Sequence, residues 1–186
     1  MNYSEELNKV LHQSRQCAIR LGSPQVTPDH LLLGILSSSE SKAYHLLKSS
    51  GVDTDKARTT LESRNFHEGS EAVDPSYDKQ TERILRILDL EARSYHTDIP
   101  HSEHLLFALL RERVNKAAVL LKDSYNVTYE SMEKLMPKPQ QTPKAGADFS
   151  SDLEDDNGAG EMPEDDSETR KKRSWYSRAF SRSPSL

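Results

Sequence analysis

Apolar side chains recur at the spacing of one helix face through most of the chain before Pro137. One such face near the start of the chain is formed by Leu7, Val10, Leu11, Cys17, Ala18 and Leu21. A similar face further along is formed by Ile84, Leu85, Leu88, Ala92 and Tyr95. No segment shows the alternation of apolar and polar residues that marks a strand, so the pattern predicts an all-α fold.

Two short motifs predict where helices begin and end. Thr27-Pro28 is a strong start signal, because the threonine hydroxyl suits the N-cap and proline suits the first helical position, where no N–H is needed. Ser50-Gly51 is a stop signal, because glycine tolerates the left-handed conformation that follows many helices. These motifs bracket predicted helices in the first half of the chain.

The chain repeats itself before Pro137. Tyr3 matches Tyr77 at an offset of 74 residues, and the same offset relates Val10-Leu11 to Ile84-Leu85, Ala18 to Ala92, Asp29-His30-Leu31-Leu32 to Glu103-His104-Leu105-Leu106, Ala43 to Ala117 and Leu46-Leu47 to Leu120-Leu121. After one inserted residue, an offset of 75 relates Val52 to Val127 and Leu61 to Met136. We therefore predict two pseudo-symmetric repeats of about four helices each, eight helices in total, which share one core. Repeat one covers about residues 3–65 and repeat two about residues 76–136, within a domain of residues 1–136.

The composition changes at Pro137, where a segment rich in Pro, Gly, Ser and acidic residues begins. Ten acidic residues and no basic residue lie between positions 148 and 168: Asp148, Asp152, Glu154, Asp155, Asp156, Glu161, Glu164, Asp165, Asp166 and Glu168. Such a segment buries too little apolar surface to offset the entropy of ordering it. We therefore predict that residues 137–186 are a disordered linker, first acidic and then basic.

Charge and cysteine content narrow the classes of protein. The formal net charge of −5 gives no reason to expect a nucleic-acid or membrane surface over the whole chain. No apolar run is long enough to span a membrane, and the first residues do not resemble a signal peptide. The single cysteine, Cys17, forms no intrachain disulfide and is expected to be a small core residue. A cytoplasmic location is the expectation.

Two motifs, one in each repeat, resemble a known family. VTPDHLLLGIL begins at Val26 and is followed by AYHLLKSSGVD, and IPHSEHLLFALLRE begins at Ile99 and is followed by AAVLLKDSYNV. Both are similar to the signature of the Clp N-terminal repeat domain of AAA+ protein unfoldases, with ClpC-type proteins nearest and ClpA and ClpB related. The resemblance covers roughly residues 3–136.

The resemblance implies a non-catalytic domain that recognises substrates and adaptors. In that family the domain is flexibly attached to an AAA+ ring, binds adaptor proteins and unfolded or marked substrates, and passes them to the ring, whose partner protease degrades them. This chain contains no G-x-x-x-x-G-K-[ST] loop, so we expect no cofactor here and expect ATP and Mg²⁺ to be bound by modules outside the chain. We also expect no ATPase or protease activity and a monomeric domain. The alternative is a free-standing accessory subunit of a Clp protease; a reading frame that continues past Leu186 into an ATP-binding motif would favour the first interpretation.

Asp29 and Glu103 are the candidate recognition residues, because they occupy equivalent positions at the start of equivalent helices. One interpretation is structural, since an acid in the first turn interacts favourably with the helix dipole. The other follows from the resemblance, which implies that the acid and a neighbouring hydroxyl bind phosphorylated arginine on marked substrates. Ser102 supplies that hydroxyl beside Glu103, whereas Asp29 is a shorter acid and its neighbour Pro28 supplies neither a hydroxyl nor an N–H. Thr27, before Pro28, is a further candidate binding residue. We therefore expect Glu103 to contribute more to such binding than Asp29.

Two other features suggest sites less strongly. His30 and His104 have no cysteine or second histidine at a ligand spacing, so we expect structural histidines and no metal. The segment RKKRSWYSRAFSR places Trp175, Tyr176 and Phe180 among basic residues, which would suit RNA, an acidic partner, the acidic linker itself or an amphipathic helix on a membrane. A solvated hinge is the preferred interpretation of that segment.

Overall fold

The computed structural model describes residues 2–69 and 74–139, and this part of the chain forms eight α-helices and two short strands. In chain order the elements are α1 (Glu5–Arg20), β1 (Gln25–Val26), α2 (Pro28–Leu36), α3 (Lys42–Ser49), α4 (Thr54–Arg64), β2 (Ser76–Tyr77), α5 (Lys79–Ser94), α6 (Ser102–Arg111), α7 (Lys116–Tyr125) and α8 (Tyr129–Leu135). They belong to one compact unit, Met1–Lys138. The disorder predicted for residues 137–186 falls almost entirely outside the described residues.

The helices form two repeats, α1–α4 and α5–α8, which confirms the predicted architecture. The first three helices of each repeat begin 74 residues apart and the fourth helices 75 residues apart, as the sequence matches require. The inserted residue lies in α7, because Gly51 after α3 and Asn126 after α7 occupy the same place and both have positive φ, 89° and 57°. Glycine and asparagine are the residues that tolerate this left-handed conformation best.

Two strands, which the pattern of apolar residues did not predict, join the repeats. β1 and β2 pair in parallel, and each contains only two residues, too few to produce an alternating pattern. The Asp78 N–H extends the pairing by donating to the Val26 carbonyl at 3.1 Å. At the pseudo-symmetric place, the Ser4 N–H donates to the Pro100 carbonyl at 3.0 Å. The first residues of each repeat thus form backbone hydrogen bonds with the segment that precedes the second helix of the other repeat.

The core is centred on the two most apolar helices, α2 and α6. Every residue of α2 is buried, as is every residue of α6 except the last, Arg111. Within each repeat the long first helix covers the central one, α1 on α2 and α5 on α6. Between repeats the packing is crosswise, with α3 against α6 and α2 against α7. The start of each central helix therefore lies near elements of both repeats.

The repeats share a backbone plan but differ in side-chain chemistry between their first and second helices. In repeat two, Glu91 is fully buried and accepts hydrogen bonds from Arg111 Nε at 2.7 Å and from the Tyr129 hydroxyl at 2.8 Å. The equivalents of Glu91 and Arg111 in repeat one are Cys17 and Ser37, whose Sγ and Oγ atoms lie 3.9 Å apart. Cys17 is buried, as expected of a core residue. A charged pair in one repeat is thus replaced by two small side chains in the other.

Among the described helices, none combines the length and apolar character needed to cross a membrane.

Candidate functional site

The starts of α2 and α6 have the same design. Thr27 is the N-cap of α2 and His101 that of α6, and Pro28 stands at the first helical position of α2 as predicted. Asp29 and Glu103 therefore both occupy the second helical position, and both side chains are largely buried. An acid at this position is stabilised by the helix dipole, so the location alone does not separate a structural role from a binding role.

Histidine three residues after the N-cap closes both helix starts. The Thr27 N–H donates to His30 Nδ1 at 2.9 Å, and the His101 N–H donates to His104 Nδ1 at 2.9 Å. Burial lowers the pKa of His30 to about 4 and likewise lowers the pKa of His104 to about 4, so both rings are neutral acceptors near pH 7. Within residues 2–69 and 74–139, no group of three or more His, Cys, Asp and Glu residues is placed to hold a metal ion.

The Asp29 carboxylate is occupied by groups from the end of α4. Arg64 binds it with two bonds, from Nε to Oδ2 at 2.8 Å and from Nη2 to Oδ1 at 2.9 Å. The Asn65 side-chain amide donates to Oδ2 at 2.7 Å. Such a fork is among the strongest ion-pair geometries in proteins, and here it satisfies both oxygens of a side chain that is only 5% exposed.

The Glu103 carboxylate has no such partner. Its residue is only 8% exposed, yet no side chain or backbone group in the described part of the chain forms a hydrogen bond or ion pair with it. It lies near Tyr95: burial, followed by the charges of Glu133, Glu91 and Glu103, raises the pKa of that phenol. The Glu103 oxygens are not among the fully buried polar atoms without a partner, so they reach the surface, where a ligand can contact them.

The repeat register explains why the two acids differ. At the offset of 75 residues that relates α4 to α8, Pro139 corresponds to Arg64. The helix α8 also ends at Leu135, before that position is reached. Repeat two therefore has no arginine at the position from which Arg64 pairs with Asp29 in repeat one.

The predicted hydroxyl groups both bond within the protein. The Thr27 hydroxyl lies 3.0 Å from His30 Nδ1. The Ser102 side chain is fully buried, and its oxygen accepts a hydrogen bond from the Ala43 N–H at 3.0 Å, which ties α3 to α6. In contrast, the Glu103 N–H has no acceptor among the described residues. Ser102 and Glu103 are neighbours in the sequence, but the Ser102 side chain faces α3 and is already hydrogen-bonded there.

Two residues beside these positions were not identified from the sequence. Arg64 is 35 residues from Asp29, and the sequence signal for it is the missing counterpart at Pro139. Glu6 links three helices, because its carboxylate accepts hydrogen bonds from the Lys42 N–H at 2.6 Å and from the Ser102 N–H at 3.3 Å. The first turn of a long helix gives no sequence signal for such a bridge.

Comparison with known proteins agrees with this architecture. A family model described as the Clp repeat (R) N-terminal domain matches residues 2–124. The ATP-dependent Clp protease ATP-binding subunit ClpC of Staphylococcus aureus is 29% identical over 115 residues, which are 62% of this chain and 14% of that protein. The chain thus spans only a small part of the curated relatives that it matches.

Solved structures with low sequence identity share the fold. The N-domain of ClpV from Vibrio cholerae has a TM-score of 0.61 at 18% identity, covering 72% of this chain and 81% of that one. A ClpV N-domain in complex with a VipB peptide has a TM-score of 0.57 at 16% identity, covering 74% of this chain and 91% of that one. The family match covers more than half of the residues, and the chain therefore belongs to the Clp repeat N-terminal domain family.

Proposed function

We propose that this chain is the substrate- and adaptor-recognition domain of an ATP-dependent Clp unfoldase that feeds proteins to a partner protease. The family and the ClpC relative support the proposal, and so does the similarity to a ClpV N-domain that is known in complex with a peptide. In this proposal the domain itself carries out no catalysis, and ATP and Mg²⁺ are bound by modules outside the chain.

The observation that carries the proposal is Glu103: most of the residue is buried, and its carboxylate has no partner in the described part of the chain. An unpaired acid of this kind can accept charge-assisted hydrogen bonds from a cationic group, and a guanidinium can form two of them at once. Asp29 has already made that interaction with Arg64. The start of α6 is therefore the proposed binding position for a ligand.

The ligand that fits best carries both a guanidinium and a phosphate. The Glu103 carboxylate would accept the guanidinium, and the Glu103 N–H at the start of α6 would donate to the phosphate, a group that helix starts bind well. Ser102 faces α3, so its predicted contribution to the ligand would require its hydrogen bond to α3 to break. Phosphorylated arginine on a marked substrate combines the two groups.

Titration calorimetry with a short peptide that carries one phosphorylated arginine tests this proposal. Glu103→Gln keeps the shape of the side chain but removes its charge, so binding should weaken by about tenfold or more. Glu130→Gln is the matched control, because Glu130 is also an acid at the second helical position, in α8, but is exposed. It should bind as the unchanged protein does.

The order of the variants decides between interpretations. Asp29→Ala should weaken binding less than Glu103→Ala, because Asp29 is already paired with Arg64. Equal losses for the two variants would show that the open and the occupied acid are equivalent. No binding by the unchanged protein would show that this domain recognises its partners through another surface.

A further inference from the structure

The guanidinium of Arg64 is held by several acceptors that lie far from it in the sequence. Its guanidinium forms the fork with Asp29, and Nη2 also donates to the Lys116 carbonyl at 3.0 Å, so the binding groups come from both repeats. Asn65 fixes the carboxylate from the side. We infer that Asp29, Asn65 and the Lys116 carbonyl form a guanidinium-binding site that the chain fills with its own Arg64.

The comparison between repeats separates this role from a purely structural one. The start of α6 has the equivalent histidine and an acid at the same position as the start of α2, although its N-cap is His101 and its acid is Glu103, but it has no internal arginine. An arginine is therefore not required to fold a helix start of this design. Arg64 forms an ion pair with Asp29, whereas no arginine pairs with Glu103 at the equivalent position among the described residues. In this respect the inference rests on the proposed function, which makes Glu103 the open member of the pair.

The Arg64 side chain separates Asp29 from solvent. The Arg64 side chain is 34% exposed, whereas Asp29 beneath it is 5% exposed. Arg64 is also the last residue of α4, so only its side chain needs to be removed to uncover the acid. Without it, Asp29 would keep Asn65 as a hydrogen-bond partner but would lose its counter-ion.

The chemistry of the site favours an unmodified guanidinium. Pro28 has no N–H and the Thr27 hydroxyl is engaged by His30, which leaves the Asp29 N–H as the nearby donor to a phosphate. The Lys116 carbonyl accepts from the terminal nitrogen Nη2, so a phosphate attached to a terminal nitrogen at this place would meet an acceptor in place of a donor. Once opened, the Asp29 site should therefore bind plain arginine, in contrast to the site at Glu103.

Thermal unfolding of Arg64→Ala in methylguanidinium chloride tests the inference. A small guanidinium that fills the vacated site should raise the melting temperature of this variant by about 2 °C or more, since a ligand that binds only the folded state stabilises it. Methylammonium chloride at the same concentration should have a smaller effect, because it lacks the fork. The unchanged protein and Arg58→Ala offer methylguanidinium only the open acid Glu103, so any rise in them should be smaller. Arg58 is the matched control: it lies on the same helix and pairs with an acid, the exposed Asp55.

Calorimetry with a peptide that carries one unmodified arginine gives a second readout. Arg64→Ala should bind this peptide at one more site than the unchanged protein, and Asp29→Asn in the same variant should abolish that site. If Arg64→Ala does not fold, Arg64→Gln takes its place, because glutamine retains an N–H that can donate to Asp29. The inference is wrong if the variant is not stabilised by methylguanidinium and gains no site, or if either effect survives Asp29→Asn. The effect of Glu103→Gln on the phosphorylated peptide decides the proposed function separately.

Discussion

At the scale of single residues, the two histidines at the helix starts cap their helices, and their protonation links the stability of the domain to pH. His30 and His104 are buried and accept the N–H of the cap through Nδ1. In the neutral ring that accepts at Nδ1, the proton is on Nε2, and His30 Nε2 is buried without a partner. A charged ring would lose the Nδ1 acceptor and would bring a charge into the core. Both effects oppose protonation in the folded state.

We therefore expect the domain to lose stability in mild acid. The pKa of each histidine is about 4 in the folded protein against an ordinary value of 6.5, so the unfolded chain binds protons first as the pH falls. Stability should be complete above about pH 6.5 and should decline towards pH 4, by about 2 kcal/mol per histidine at pH 5. Urea unfolding between about pH 7 and pH 5 measures this decline.

Glutamine provides the control for this titration. His30→Gln and His104→Gln keep an acceptor three residues after the cap, as in a capping box, but do not titrate. The double variant should therefore show a much flatter dependence of stability on pH than the unchanged protein. A decline of the same size in both proteins would assign the effect to other groups.

At the scale of elements, the closeness of α1 and α2 depends on Gly34. A Cβ atom at this position would lie 2.6 Å from the Val10 carbonyl oxygen and 2.9 Å from the Ser14 nitrogen, distances that real Cβ atoms essentially never show. Both are backbone atoms of α1, so the helix itself would have to move. The equivalent position in repeat two is Ala108. Because Gly34 has no side chain, α1 can lie closer to α2 than any other residue at this position would allow.

Gly34→Ala gives a test in which two effects have opposite signs. Helix propensity alone predicts that alanine stabilises α2 by about 1 kcal/mol. Overpacking against α1 predicts a loss of about 1–3 kcal/mol, and we expect the loss to dominate because the clashing atoms belong to the backbone. Urea unfolding at neutral pH measures the sign. Increased stability in this variant would show that α1 moves away at little cost.

The elements show which parts of the fold the sequence can predict. Caps and stops are local, so Thr27-Pro28 and Gly51 marked their helix ends correctly, and the repeat register placed the helices of repeat two. The pairing of β1 with β2 depends on two residues from each of two distant segments, and no local pattern encodes it. The same limit applies to Arg64, whose role depends on the packing of α4 against α2. Asp29 and Glu103 were found as a pair, but only the structure shows that one is occupied.

At the scale of the whole molecule, the two repeats are interlocked. The crosswise packing of α3 on α6 and of α2 on α7 means that neither repeat covers its own central helix completely. Polar contacts follow the same plan: Ser102 accepts the Ala43 N–H, Glu6 accepts the Ser102 N–H, and Arg64 donates to the Lys116 carbonyl. The buried surface that stabilises one repeat is therefore supplied in part by the other.

We accordingly expect residues 1–138 to unfold as one cooperative unit, although the chain is an internal repeat. Circular dichroism and tyrosine fluorescence should give the same midpoint in urea, since all contacts across the repeats break together. Gly34→Ala lies in repeat one, yet it should shift the midpoint of the whole transition without changing its slope. The separate segments 1–73 and 74–138 should show no cooperative transition, because α2 and α6 would each lose the helix that the other repeat packs against them. A cooperative transition in either segment alone, or two transitions in the joined chain, would show that the repeats are stable independently and that the crosswise contacts contribute little.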